Sequence, residues 1–135
     1  MSRKTKNTAP SVERRNKIDP LKISMGRGFF ILNAVFWLAY GVYVYYDMAI
    51  VNNNKSSADI VTLYIFINSG LLFFSGIKLG KPQKWTYFFA LSVLAFNSVL
   101  NLLNIVDLFF MLSFFFDLFI LWAVIPLRRQ YFPKP

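Results

Sequence analysis

The sequence predicts an all-α integral membrane protein, with four transmembrane helices in an up-down antiparallel bundle and both N- and C-termini cytoplasmic. Three observations lead there. Apolar stretches long enough to cross a bilayer recur along the chain. Basic residues are confined to the segments at one end of those stretches. Each stretch also carries a few Asn, Ser or Asp residues at helical spacing. Hydrophobic residues make up 56% of the 135 positions, above the 45–50% usual for soluble domains, and a chain of this length holds one domain.

Residues 1–25 are polar, basic and interrupted by Pro10 and Pro20, which reads as a flexible cytoplasmic tail. Leu21, Ile23 and Met25 alternate with Lys22 and Ser24, a weak sign of a piece resting on the membrane surface. The first span is 29–46, FFILNAVFWLAYGVYVYY, uncharged and close to the length that covers a hydrocarbon core of about 30 Å. It is too long for a signal-peptide core and no small-residue cleavage site follows it. Glu13, Asp19 and the prolines count against a mitochondrial presequence.

Residues 47–59, DMAIVNNNKSSAD, have the Asn/Ser chemistry of a loop. The second span is 60–77, stopped by Gly80, Lys81 and Pro82. From Trp85 to Ile125 the chain is almost continuously apolar. As one helix this stretch would extend about 60 Å, twice the hydrocarbon thickness, so it folds back. NIVD at 104–107 is the place: Asn104 ends a third span, 85–103, and Asp107 caps a fourth, 108–125. The membrane domain is thus 26–128, followed by a short basic cytoplasmic C-terminus at 129–135. Four helices apolar all round could not be covered by a soluble fold of this size.

Charge sets the orientation. Arg3, Lys4, Lys6, Arg14, Arg15, Lys17, Lys22 and Arg27 precede the first span. Lys78, Lys81 and Lys84 follow the second, and Arg128, Arg129 and Lys134 follow the fourth. The two remaining loops hold only Lys55. The positive-inside rule places the basic ends in the cytoplasm and Asp47, Asp59 and Asp107 outside. Trp85, Tyr87, Trp122 and Tyr131 then fall at the inner interface, and Tyr43, Tyr45 and Tyr46 at the outer one. The basic leader and small size lean to a multi-pass protein of a cell (plasma) membrane, the bacterial inner membrane.

The polar residues inside the spans are the candidate site. Asn33, Trp37, Tyr40 and Asp47 lie four, three and seven apart; Tyr64, Asn68 and Ser75, four and seven; Asn97, Asn101 and Asn104, four and three; Ser113 and Asp117, four. Such intervals place each set on one helix face, and polar faces turn toward one another rather than toward lipid. At 1.5 Å per residue, Asn68 and Asp117 lie about 15 Å deep and Asn97 about 18 Å. The expected intramembrane cluster is Asp117, Asn68, Asn97, Asn101, Asn33 and Ser113. A carboxyl group at a helix centre costs about 2.5–3.5 kcal/mol to insert. The expectation is therefore a neutral Asp117 donating to an Asn carbonyl. Such a cluster is either an interhelical fastener or a proton or cation site.

Other chemistry is restricted. Without Cys or His the chain offers no disulfide, no thiolate or imidazole metal site and no Ser–His or Cys–His nucleophile. No cofactor or metal is expected, no compact catalytic set occurs, and the basic tail carries no nucleic-acid motif. Gly76-x-x-x-Gly80 matches a helix-pairing pattern, though Gly80 reads better as a helix stop. The leading functional expectation is a small non-enzymatic accessory, assembly or scaffold protein packing with itself or with larger membrane partners. A small oligomeric proton-coupled transporter or cation channel using Asp117 is one alternative. A lipid-binding protein is another, with Lys78, Lys81, Lys84, Arg128 and Arg129 contacting anionic headgroups of membrane lipids.

Overall fold

The structure is a computed structural model describing residues 20–81 and 83–132. Every regular element among these residues is helical. α1 (Pro20–Tyr46) runs into a π-helical turn, Asp47–Val51; α2 (Lys55–Lys78), α3 (Lys84–Leu103) and α4 (Leu108–Val124) follow. A 3₁₀ turn (Ile125–Leu127) then leads into a short α5 (Arg128–Tyr131). Four helices are long and apolar enough to cross a membrane. α1 packs against α2 and α4, and α3 packs against the same two.

One pattern explains how they meet. The buried positions run 58, 62, 65, 69, 72, 76, 79 on α2; 87, 90, 94, 97, 101 on α3; and 113, 117, 120, 124, 127, 131 from α4 into α5. Steps alternate between three and four, the seam spacing of helices crossing at a shallow angle. Asn97, Asn101, Ser113 and Asp117 of the expected cluster are members of these seams, Asn68 is buried beside Ser69 in the α2 seam, and Asn33 is buried on α1. Apolar members form the core: Phe30, Ala34 and Trp37 meet Ile65, Leu72, Leu94 and Ile120. Outward positions such as Phe88, Phe96, Phe115 and Phe119 are exposed, as a hydrocarbon solvent allows.

α1 and α2 approach each other through small residues. A Cβ on Gly41 would lie 2.9 Å from Ile65 Cγ2, and one on Gly76 would lie 3.0 Å from Phe30 Cβ and 3.2 Å from the Arg27 carbonyl. At the same seam Ser69 Oγ donates to the Ala34 carbonyl at 2.7 Å. Gly76 therefore serves contact within the chain rather than an outward pairing face.

Several boundaries differ from expectation. Residues 20–25 are not tail but the first turns of α1. Proline suits this place, because its ring fixes φ and the first turn needs no N–H. The expected loop 47–59 is mostly helical: the π turn closes with Asn52 N–H on the Asp47 carbonyl at 3.0 Å, and Asn54 caps α2 by accepting from Ser57 N–H at 3.3 Å. Between them Asn53 takes φ 49°, a left-handed value that Asn tolerates. The turn 104–107 is where the sequence places it, with Asp107 accepting from Phe109 N–H at 2.7 Å.

Gly80 ends α2 without a positive φ; its missing side chain instead makes room for the Arg27 guanidinium, 3.1 Å from where a Cβ would be. Residues 1–19, Pro82 and 133–135, which include the rest of the tail, lie outside the described residues.

Tyr87 and Tyr131 do not belong to an exposed aromatic belt. Both are buried, with ring centroids 5.3 Å apart, and the Tyr131 hydroxyl donates to the Leu79 carbonyl. Arg27 Nε donates to the Gly76 carbonyl at 3.3 Å. Two side chains thus satisfy carbonyls that the end of α2 leaves open. Trp85, Trp122, Tyr43 and Tyr46 are exposed, and Tyr45 is half-buried.

Candidate functional site

All six residues of the expected intramembrane cluster come together, and each is buried. α4 brings Asp117 and Ser113 inward one turn apart. α1 supplies Asn33, α3 supplies Asn97 and Asn101, and α2 supplies Asn68. Asp117 is the hub. Its Oδ1 accepts from Asn33 Nδ2 at 3.0 Å and from Asn97 Nδ2 at 2.8 Å. Its Oδ2 accepts from Asn97 Nδ2 at 2.9 Å, Asn101 Nδ2 at 2.8 Å and Ser98 Oγ at 3.2 Å. Asn68 Nδ2 joins from α2 by donating to Asn97 Oδ1 at 2.8 Å.

The expected amide carbonyl does not face Asp117: Asn33, Asn97 and Asn101 all present Nδ2, and both carboxyl oxygens accept. The insertion cost is met by converging amide N–H groups rather than by a cation, since no Lys or Arg among the described residues reaches the cluster.

Ser113 Oγ accepts from Trp37 Nε1 and from Asn101 Nδ2, both at 2.9 Å, and donates to Asn33 Oδ1 at 3.3 Å. Two buried acceptors of the cluster have no partner, Asn68 Oδ1 and Asn101 Oδ1. On the network's far side from the basic end lies a cleft of about 310 Å³ among all four helices. Tyr40, Tyr64, Leu100, Asn104 and Phe110 line it, and Trp37 closes it at the network. Asp117 is not among its lining residues.

The ends of the polar stripes do not join the cluster. Asn104 is exposed and donates to its own helix at Leu100. Asp47 holds Asn52. Tyr40 stacks on Phe109 with centroids 3.7 Å apart, and Tyr64 is exposed. Ser75 is buried but bonds back to Leu71. Trp37 and Ser98 join the network from outside the expected six, and Ser69 bonds to α1 apart from it. Ser98 lies three residues before Asn101 and so shares its face, a signal present in the sequence. Ser69 sits beside Asn68 and turns to α1.

The candidate headgroup contacts gather at the opposite end. Lys78 closes α2 with Nζ 5.1 Å from the Phe74 ring centre. Lys81 stands in the turn, and Lys84 opens α3 with Nζ 5.7 Å from the Phe132 ring centre. Arg128 and Arg129 are exposed on α5, which packs against α3. Among the described residues no group of His, Cys, Asp or Glu converges as metal ligands. Neither a protein-family model, nor a curated protein, nor a solved structure matches this chain.

Proposed function

We propose that the chain is a small non-enzymatic integral membrane protein, an accessory or scaffold component that packs with itself or with larger membrane proteins. One observation carries this reading: Asp117, the residue best suited to transport or catalysis, already holds donors from Asn33, Asn97, Ser98 and Asn101. A carboxylate so occupied fastens helices. Interhelical hydrogen bonds of this kind average about 0.6 kcal/mol and reach about 1.7, so they select one packing more than they add stability. The exposed apolar faces suit lipid or a neighbouring helix.

The bundle is up-down and antiparallel in this reading. Contacts support it: numbers rising along α1 meet falling numbers along α2, at Gly26–Leu79, Phe30–Gly76 and Gly41–Ile65. Across α1 and α4, Asn33 meets Asp117 and Trp37 meets Ser113. Both termini are cytoplasmic in a plasma membrane of bacterial type, with Lys78, Lys81, Lys84, Arg128 and Arg129 against anionic headgroups.

Three measurements test the proposal. Deletion of the gene should remove or weaken at least one membrane complex, and the purified protein should carry a partner or self-associate. A strict monomer whose loss leaves every complex intact would end the scaffold reading. Proton or cation flux in liposomes that vanishes in Asp117→Asn would replace it with a transporter.

A further inference from the structure

We propose that Asp117 is a reversible proton-binding site, served by the cleft above Trp37, with the side-chain amide of Asn101 as the part that reorients. This goes beyond the scaffold reading, which needs no titration. An imbalance in the network points to it. Asn101 donates both amide hydrogens, to Ser113 Oγ at 2.9 Å and to Asp117 Oδ2 at 2.8 Å. Its Oδ1 is buried with no donor, although a buried amide oxygen left unpaired is costly. That oxygen is an acceptor held in reserve beside a carboxylate surrounded by donors.

Proton uptake uses it. A hydronium ion gives its proton to Asp117 Oδ2; an O–H bond forms, water departs and the carboxylate charge is neutralised. The new O–H needs an acceptor, and the nearest group presents N–H instead. A half-turn about the Cβ–Cγ bond of Asn101 exchanges its oxygen and nitrogen. Oδ1 then stands where Nδ2 stood, within reach of both Asp117 Oδ2 and Ser113 Oγ. It accepts the carboxyl O–H and the Ser113 O–H, while Trp37 keeps donating to Ser113. The longest bond of the network is given up, Ser113 to Asn33 Oδ1 at 3.3 Å, and Asn101 Nδ2 takes the buried place that Oδ1 held without a partner. No backbone moves. Ser98 Oγ, at 3.2 Å, is the more distant alternative acceptor.

Among the described residues, nothing that faces Asp117 competes for the charge. α1 presents Asn33; α3 presents Asn97, Ser98 and Asn101; α2 acts through Asn68 on Asn97. None of these ionises. The titratable groups nearest the access route are the phenols Tyr40 and Tyr64 on the cleft wall. Asp107 lies beyond them, within electrostatic reach of Tyr40. Access is short. Leu100 and Asn104, which flank Asn101 on α3, line the cleft, and Trp37 on its floor bonds directly to the network. Ser113 links Trp37 to Asn33 and Asn101, and both of these bond to Asp117.

The experiment is infrared difference spectroscopy of the full chain in lipid nanodiscs on acidification from neutral pH. A carboxylic-acid band should rise, and a side-chain amide band should shift in the same titration. Asp117→Asn should lose the first band. Asn101→Leu should lose the amide shift, whereas Asn68→Leu and Ser98→Ala should keep it. Leu100→Trp, which fills the cleft, should slow uptake several-fold without changing its extent. If Asn101→Leu does not fold, the side-chain amide NMR signal of Asn101 in the unaltered chain should move on the same titration. The proposal is overturned by the absence of any carboxyl band, by a band that survives Asp117→Asn, by an amide shift that persists without Asn101 or an Asn101 signal that stays fixed, or by an uptake rate indifferent to Leu100→Trp.

Discussion

The indole of Trp37 orients Ser113 across the α1–α4 contact: Nε1 donates to Oγ at 2.9 Å. An indole N–H can only donate, so the Ser113 oxygen must accept there. Its own hydrogen is then free to go to Asn33 Oδ1, which turns Asn33 Nδ2 onto Asp117. While Asn101 also donates to Ser113, the indole thereby sets the direction of the Ser113–Asn33 arm of the network; Asn97, Ser98 and Asn101 reach Asp117 independently of it.

Trp37→Phe therefore reaches further than its own contact. It removes the indole donor and leaves a void at the floor of the cleft. The bond alone is worth about 0.6–1.7 kcal/mol in a membrane setting, and the void adds to it. The expected result is a lower unfolding midpoint in a denaturing-detergent titration, together with faster exchange of the Asn33 side-chain amide. An unchanged Asn33 amide would show that Trp37 does not set the direction of that arm.

Replacements at Asp117 should separate by what they leave unpaired. Asp117→Ala strands donors from Asn33, Asn97, Asn101 and Ser98 in a buried site, and each donor left unpaired costs about 1–3 kcal/mol. Asp117→Asn keeps one acceptor oxygen and offers an amide that the reoriented Asn101 can receive. Its loss should stay near 1–2 kcal/mol, roughly the range of a single imperfect hydrogen bond. The check is the same detergent titration on both variants, with equal losses contradicting the hub.

Glycines give a sharper contrast because each differs only by the space for one methyl group. A Cβ at Gly76 meets Phe30 Cβ at 3.0 Å, Ile31 Cγ1 at 3.1 Å and a backbone carbonyl at 3.2 Å, whereas Gly28 and Gly70 have nothing within 4 Å. Gly76→Ala should cost about 1–3 kcal/mol by forcing α1 and α2 apart. Gly28→Ala and Gly70→Ala should be neutral or stabilising by up to about 1 kcal/mol, since alanine favours helix. Gly80→Ala meets only the flexible end of Arg27 and should be mild. Unfolding midpoints of the four variants decide the order.

How much of this is legible in the sequence depends on the kind of signal a residue carries. The four apolar stretches and the turn at 104–107 are plain, because a long uncharged run needs a lipid or protein cover and must turn where an Asp can cap a new helix. The inward polar cluster is legible from steps of three and four. The donor-rich surroundings of Asp117 are not: spacing gives each helix its polar face, and only the assembled bundle brings the Nδ2 groups of Asn33, Asn97 and Asn101 onto one carboxyl group. The start of α1 is hidden because Pro20 reads as a breaker unless it is known to stand in a first turn. Depth alone assigns Tyr87 and Tyr131 to a belt. Their spacing says otherwise: Tyr87 falls in step with Ala90, Leu94 and Asn97, and Tyr131 with Val124 and Leu127.

Tyr131 offers the remaining test, since it ties α5 to the end of α2 outside the spans. Tyr131→Phe removes the donor to the Leu79 carbonyl and should cost about 1 kcal/mol, with α5 amides exchanging faster while those of α2 above Leu72 do not. The hydroxyl also gives a pH signature. Burial pushes it above its ordinary value of 10.0, the nearby Tyr87 adds to this, and Arg27 opposes it. A phenol raised in the folded state contributes its full stability below its unfolded value and loses it as pH climbs through the folded one. The unaltered chain should therefore lose stability above about pH 10 more steeply than Tyr131→Phe. Parallel pH curves for the two would mean that the Tyr131 hydroxyl is hydrated and that α5 does not hold the end of α2.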